Sequence, residues 1–164
     1  MSSLDRRTLL MMLPLAVSAC GFTPVLAPGK NGAVLNDNVL VDAPDDREGY
    51  VLVRALEDRL GRGGDAAGYS LSVDVEISSD PLAVTATGAT TRVGLVATAD
   101  YALRRMSDDQ TVLKGKVSEF TGYSYTGSTV ETLASERDAK ERLMTMVAER
   151  ITIQLYAAPA LTSS

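Results

Sequence analysis

Residues 69 to 77, Tyr-Ser-Leu-Ser-Val-Asp-Val-Glu-Ile, alternate without a break. Tyr69, Leu71, Val73, Val75 and Ile77 fall on one side, Ser70, Ser72, Asp74 and Glu76 on the other. A period of two places successive side chains on opposite sheet faces, so this segment predicts a strand with one buried and one wet side. A second strand is predicted from about 91 to 105, with Val93, Leu95, Ala97, Ala99, Tyr101 and Leu103 inward. Ser107-Asp108-Asp109-Gln110 reads as a hairpin turn into a third strand, about 111 to 122. There Leu113, Gly115 and Val117 alternate until Phe120 breaks the parity, which predicts a bulge.

Two segments have the period of a helix instead. Pro44-Asp45-Asp46-Arg47-Glu48 is an acidic start with Asp45 three residues before Glu48. Tyr50, Val53, Leu56 and Leu60 then share a face, and Gly61, Gly63 and Gly64 end a helix of about 47 to 60. Ser128-Thr-Val-Glu131 has the form of a capping box and opens a helix running to Tyr156. Leu133, Ala139, Leu143, Met146, Val147 and Ile151 form its predicted apolar stripe, with Glu136, Arg137, Lys140, Glu141, Arg142, Glu149 and Arg150 toward water. Upstream, Val34-Leu35 and Val39-Leu40-Val41 flank Asn36-Asp37-Asn38, and residues 33–42 are read as a first short strand.

Each helix has one apolar stripe that must be buried. Laying both on one face of a four-stranded, mainly antiparallel sheet satisfies them, which predicts an α+β two-layer sandwich of order β-α-β-β-β-α. The other sheet face carries Ser, Thr, Asp and Glu and is expected to be wet or to meet a polar partner. Tyr69, Tyr101 and Tyr50 are expected in the core. Tyr123 and Tyr125 either close the end of the sheet or contact a partner. Thr85-Ala-Thr-Gly-Ala-Thr90 reads as a flexible tip between strands.

The N-terminus changes the compartment. Arg6 and Arg7 precede an apolar run, Leu9 to Val17, interrupted by Pro14. The run is shorter than the ~20 apolar residues a spanning helix requires and matches the apolar region of a signal peptide. Val17-Ser18-Ala19-Cys20 resembles a bacterial lipobox, in which the cysteine sulfur takes a diacylglyceryl group and the leader is cut before it. Cys20 is the only cysteine of 164 residues, so no internal disulfide is possible and the thiol is free for lipid. Two or more acyl chains hold a protein durably where one does not. Leu4-Asp5-Arg6-Arg7-Thr8-Leu9-Leu10 is a looser match to a twin-arginine export signal, so the export route stays open. The chain therefore divides into a lipoprotein signal peptide at 1–19, a lipidated tether at 20–32, an α/β domain at 33–157 and a flexible tail at 158–164.

Composition then excludes several classes. The net charge is -5, and loss of the leader removes two positive charges and one negative, to about -6. No basic stripe exists to neutralise a phosphate backbone, which argues against nucleic acid. With no histidine and one cysteine, Ser-His-Asp and Cys-His catalysis and a His- or Cys-based zinc site are excluded. Asp74 and Glu76 share a strand face roughly 7 Å apart, within the range of a glycosidase pair. They lie on an open polar face without an aromatic platform, and solvated alternation accounts for them more simply.

Cys20-Gly21-Phe22-Thr23-Pro24-Val25 resembles the opening of the lipopolysaccharide-assembly lipoproteins, LptE. Thr91-Arg92-Val93-Gly94, Ala99-Asp100-Tyr101-Ala102-Leu103 and Gly122-Tyr123-Ser124-Tyr125 resemble the strand region of that family. Leu133 to Leu143, Ala148-Glu-Arg-Ile151 and Gln154-Leu155 resemble the C-terminal helix of its alphaproteobacterial members. The resemblance implies two helices on a four-stranded sheet and a non-enzymatic role. It implies an outer-membrane lipoprotein on the periplasmic side, with lipid on Cys20 as its only covalent group and no cofactor or metal. As implied partners it brings an LptD-like β-barrel, which the protein plugs and helps assemble, and lipopolysaccharide, which the two deliver to the outer leaflet. Gly21 after the lipidated residue fits transfer to the outer membrane. Arg92, Lys114 and Lys116 are the candidate lipopolysaccharide contacts, with Arg104 and Arg105 near the second hairpin; as scattered cations they also fit ordinary solvated positions. The competing assignment is an accessory periplasmic lipoprotein of another envelope lipid-transport complex.

Overall fold

The computed structural model describes residues 25–84, 90–125, 128–159 and 161. A short helix α1 (Asn31–Leu35) leads into strand β1 (Val39–Val41) and helix α2 (Arg47–Leu60). A 3₁₀ turn (Gly64–Ala66) follows, then strands β2 (Tyr69–Val84), β3 (Thr90–Arg105) and β4 (Gln110–Ser124) and the long helix α3 (Thr129–Ala157). The sheet order is β1-β2-β3-β4, with β1 parallel to β2 and the other pairs antiparallel. The expected α+β sandwich and its element order are present, with α2 and α3 packed on the sheet and on each other.

The first strand is shorter than expected. Residues 33–35 belong to α1, and β1 keeps only Val39–Val41. Asn36-Asp37-Asn38 forces the change: Asp37 sits in the left-handed region at φ 54°. Asn38 then bridges two segments, its Nδ2 donating to Val34 O at 2.9 Å and its Oδ1 accepting from Gly68 N at 2.7 Å.

The hairpin turn occurs where expected, with Asp109 at φ 56°. The bulge does not fall at Phe120. The β3–β4 register runs unbroken from Arg92↔Ser124 to Leu103↔Leu113 and shifts only beyond it, at Val112. Parity holds through Phe120 because the inward position beside it is polar: Glu119 faces the helices and accepts from Arg150 Nε of α3 at 2.6 Å. A second shift, not anticipated, falls around Leu82, between Pro81 and Val84.

Helix α2 has the expected bounds, but its cap is Asp46, not Asp45; the Asp46 carboxylate accepts from Gly49 N at 2.6 Å. Its buried residues are Leu52, Ala55, Leu56 and Leu60. Tyr50, expected in the core, is exposed. In α3, Ser128 occupies the cap position but its hydroxyl makes no capping bond. The buried stripe is Ala139, Leu143, Met144, Val147, Ala148, Ile151 and Leu155. Leu133 and Met146, expected inward, are exposed. The reason is shared: each helix buries a sector against both the sheet and the other helix, so the inward arc is wider and turned from the single stripe the pattern suggested. Tyr69 and Tyr101 are buried as expected, and Tyr101 Oη donates to Gln154 Oε1 of α3 at 2.7 Å.

Asn31 fastens the two ends of the described chain. It is 3% exposed, yet its Nδ2 donates to the carbonyls of Leu155 (3.2 Å), Ala158 (2.9 Å) and Pro159 (3.3 Å), and its Oδ1 accepts from Leu161 N (2.9 Å). The N-terminal segment therefore leaves the body beside the C-terminus of α3. Cys20, the leader, the tip at 85–89 and residues 160 and 162–164 lie outside the described residues.

Candidate functional site

The helices cover one sheet face and leave the other open, and the registers fix which side chains meet there. Across β2, β3 and β4 the outer rows run Ser72–Ala102–Lys114, Asp74–Asp100–Lys116, Glu76–Thr98–Ser118 and Ser78–Val96–Phe120. Lys114 and Lys116 are two residues apart on one side of β4, about 7 Å from the strand rise. Lys116 Nζ is bound to Asp100 Oδ2 at 3.0 Å. A shallow depression of about 760 Å³ opens beside both lysines, but Asp42, Asp45, Asp74 and Asp100 line it too. The local charge is mixed, which weakens this end as an anion site.

Arg92 stands elsewhere. It pairs with Ser124, eight residues along β4 from Lys116, so about 26 Å separates their levels at ~3.3 Å per residue. The structure therefore brings Lys114 and Lys116 together and keeps Arg92 apart. Arg104 and Arg105 are engaged with Asp109 and Asp108 of the turn. Among the described residues, neither Arg92 nor Lys114 takes part in an ion pair.

The neighbourhood of Arg92 is where sequence reasoning missed a feature. Leu82, Val96 and Phe120 are 64%, 37% and 75% exposed and lie on the outer face at the Arg92 end. A Cβ built on Gly94 would meet the Leu82 side chain at 3.0 Å, and one on Gly122 would meet it at 3.9 Å. Leu82 thus drapes over two positions that have no side chain of their own. The outer face is polar at its β1 end and apolar at its far end, correcting the expectation of a uniformly polar face. Parity alone would have shown Val96 and Phe120 sharing a face with Asp100 and Lys116. Leu82 was hidden because it lies beyond the alternating run of residues 69–77, although its even position keeps it on the side of Asp74 and Glu76.

Two tyrosines bracket this end on the helix side. Tyr123 is half-buried, and its hydroxyl titrates above the ordinary tyrosine value through burial, reinforced by Glu136 nearby. Tyr125 is exposed, while its N–H donates to Thr91 O at 3.0 Å and extends the β3–β4 pairing. Asp74 and Glu76, the carboxylate pair noted for its spacing, lie on the open face opposite Asp100 and Thr98. The described residues hold no cluster of acidic, histidine or cysteine side chains suited to a metal ion, and no helix long and apolar enough to cross a membrane.

The fold is shared with solved lipoproteins. A protein described as a lipoprotein from Caulobacter crescentus CB15 superposes with a TM-score of 0.64 at 23% identity, covering 77% of this chain and 93% of that one. The rare lipoprotein B from Shewanella oneidensis gives 0.53 at 17% identity, covering 73% and 92%. A minor lipoprotein from Acinetobacter baumannii gives 0.53 at 19% identity, covering 76% and 94%. No curated protein matches the chain. At these identities the structures establish a common fold and nothing finer. The sequence itself goes further, since residues 37–155, from the turn before β1 to the last turn of α3, match a family model described as lipopolysaccharide-assembly. The chain belongs to that family, LptE.

Proposed function

We infer that the chain is an outer-membrane lipoprotein, lipidated at Cys20, that plugs an LptD-like β-barrel, assists its assembly, and with it delivers lipopolysaccharide to the outer leaflet. The observation that carries this reading is the family match across the whole folded body. The geometry agrees with it. A two-layer body with charged helix flanks suits the polar interior wall of a large barrel. The apolar strip of Leu82, Val96 and Phe120 with Arg92 beside it offers an amphipathic lipid both of its requirements, apolar surface and a cation. Lys114 and Lys116 form a second, weaker candidate set, since Lys116 already faces Asp100. No catalytic step belongs to this role.

Three measurements test it. Mass spectrometry of native protein should show a thioether-linked diacylglyceryl group and an acylated amine on Cys20, with residues 1–19 gone. Affinity isolation in mild detergent should recover a large heat-modifiable barrel. Recovery of an inner-membrane transport complex instead would favour the accessory-subunit alternative and sink the plug. For the ligand, Arg92→Glu should weaken lipopolysaccharide binding more than Lys114→Glu with Lys116→Glu. Unchanged binding in the triple variant would remove all three residues.

A further inference from the structure

Strand β1 covers only the beginning of its neighbour. The β1–β2 register stops at Val41↔Leu71, while β2 continues to Val84. Tyr69 N donates to Asn38 O and Leu71 O accepts from Asp42 N, so these odd-numbered residues turn their amide groups toward the β1 side. Backbone groups on a strand alternate sides with a period of two. Val73, Val75, Ile77 and Ser79 therefore present N–H and C=O groups to the same edge, beyond the end of β1. The next residue in the series is Pro81, which has no N–H. A proline there ends the usable edge, as edge strands commonly do.

This edge is not bare. It borders a void of about 280 Å³ that lies where β1 would continue. The apolar lining comes from Leu52, Val53 and Leu56 of α2 and from Val73, Val75 and Ile77 of β2. The rim is acidic: Asp42, Asp45, Asp46, Glu48 and Asp74 line it, and among the described residues no lysine or arginine does. Unpaired strand amides, apolar pockets at alternate positions and a one-signed rim are the three requirements for adding a strand of opposite charge.

We propose that the edge of β2 from Val73 to Ser79, with α2 as its wall, accepts an extended basic polypeptide segment that pairs with β2 in the place β1 vacates. The segment has alternating apolar residues facing the void and lysines or arginines meeting the carboxylate rim. This surface is on the far side of β2 from the Leu82–Val96–Phe120 strip, so its test stands apart from the lipopolysaccharide reading.

The probe is a short synthetic peptide alternating lysine and valine, labelled for fluorescence anisotropy, with the full-length lipoprotein in detergent micelles. Strand addition requires a particular set of peptide amides. N-methylation of alternate residues on the pairing side should weaken binding about ten-fold or more, and methylation of the other set should leave it nearly unchanged. A glutamate–valine peptide should not bind. Hydrogen exchange at Val73, Val75, Ile77 and Ser79 should slow when the lysine peptide is bound. Val75→Pro removes an edge N–H that the sheet does not use and should abolish binding; the methylated peptides decide the matter even where this variant folds poorly. Equal binding of both methylated peptides means charge attraction alone and overturns the proposal. So does the absence of binding. Slowed exchange of the same four amides on concentrating the protein by itself, without peptide, assigns the edge to a second copy of the chain and overturns it too.

Discussion

Asn31 is a buried polar side chain whose partners can be counted, and replacing it separates a structural fastening from a passive contact. Its two Nδ2 hydrogens are shared among the carbonyls of Leu155, Ala158 and Pro159, and its Oδ1 holds the Leu161 N–H. Carbonyls in the last turn of a helix have no intrahelical donor, so Asn31 satisfies groups at the end of α3 that burial would leave unpaired. Three hydrogen atoms are engaged, at about 1 kcal/mol net each, which puts Asn31→Ala at about 3 kcal/mol. In a body of this size that corresponds to a fall in Tm of about 10 °C. Asn31→Asp keeps the shape but loses both donors and sets a carboxylate among three carbonyl oxygens. It should be worse than alanine at neutral pH, by about 1–3 kcal/mol. The surrounding oxygens and burial raise the new carboxyl's pKa, so the folded variant binds a proton more readily than the unfolded chain. The sign follows: stability of Asn31→Asp rises as pH falls, because the protonated acid regains one donor. Urea unfolding followed by circular dichroism at neutral and mildly acidic pH reads both effects. Asn31→Asp as stable as the native protein at neutral pH would show that the three carbonyls do not depend on these donors.

Three further outcomes follow from named contacts. A Cβ on Gly115 would stand 2.6 Å from Tyr101 Oη and 2.7 Å from Cζ; Gly115→Ala should cost about 1–3 kcal/mol by displacing a buried ring, and Tyr101→Leu in the same chain should recover part of the loss in a double-mutant cycle. In alkali, burial raises the hydroxyls of Tyr101 and Tyr156 above the ordinary value of 10.0, so the unfolded chain ionises first and stability falls as pH rises past it. Lys140, raised chiefly by its hydrogen bond to Glu136, adds stability that is complete below 10.5 and lost above, in the same direction. Tyr101→Phe with Tyr156→Phe should flatten the alkaline limb of a pH–stability profile. Phe120 is mostly exposed, so Phe120→Ser should change stability by less than about 0.5 kcal/mol while reducing binding of lipopolysaccharide micelles in a pull-down.

Regular alternation made the three long strands and their turn legible, because Tyr69 to Ile77 and Val93 to Leu103 each turn one complete apolar side toward the helices. Helix bounds were legible from breakers, Gly61 at one end and Pro159 beyond the other. Helix faces were not, because α2 and α3 touch each other as well as the sheet. Ala55 and Met144 are buried outside the single stripe drawn from periodicity, and Met144 shares a small cleft between the helices with Val51 of α2. Glu119 misled for a related reason: an inward carboxylate looks like lost register until Arg150, distant in sequence, is seen to meet it. At the candidate site the cations were visible individually, but spacing in the chain could not show that Arg92 and Lys116 lie at different ends of the sheet. The apolar strip needed the β3–β4 register to set Phe120 beside Val96, and the β2–β3 pairing to set Leu82 over Gly94.

The two ends of the sheet differ in chemistry, and the fold sets the distance between them. Asn31 places the segment leading back toward Cys20 beside the end of α3, at the Arg105–Gln110 end of the β3–β4 hairpin. Val96 lies nine residues along β3 from Arg105, about 30 Å at ~3.3 Å per residue. On the proposed reading the lipid anchor acts from the first end, and the Leu82–Val96–Phe120 strip lies about one hydrocarbon thickness further along the sheet. At that separation the strip need not share the bilayer that holds the anchor. On the proposed reading the wall of a partner or a lipid in transit would cover it. Shortening the segment between Cys20 and Asn31 would move the strip toward the bilayer without altering a residue of the strip. Loss of lipopolysaccharide delivery in such a variant, with lipidation and stability intact, would show that position and not composition alone makes this end functional.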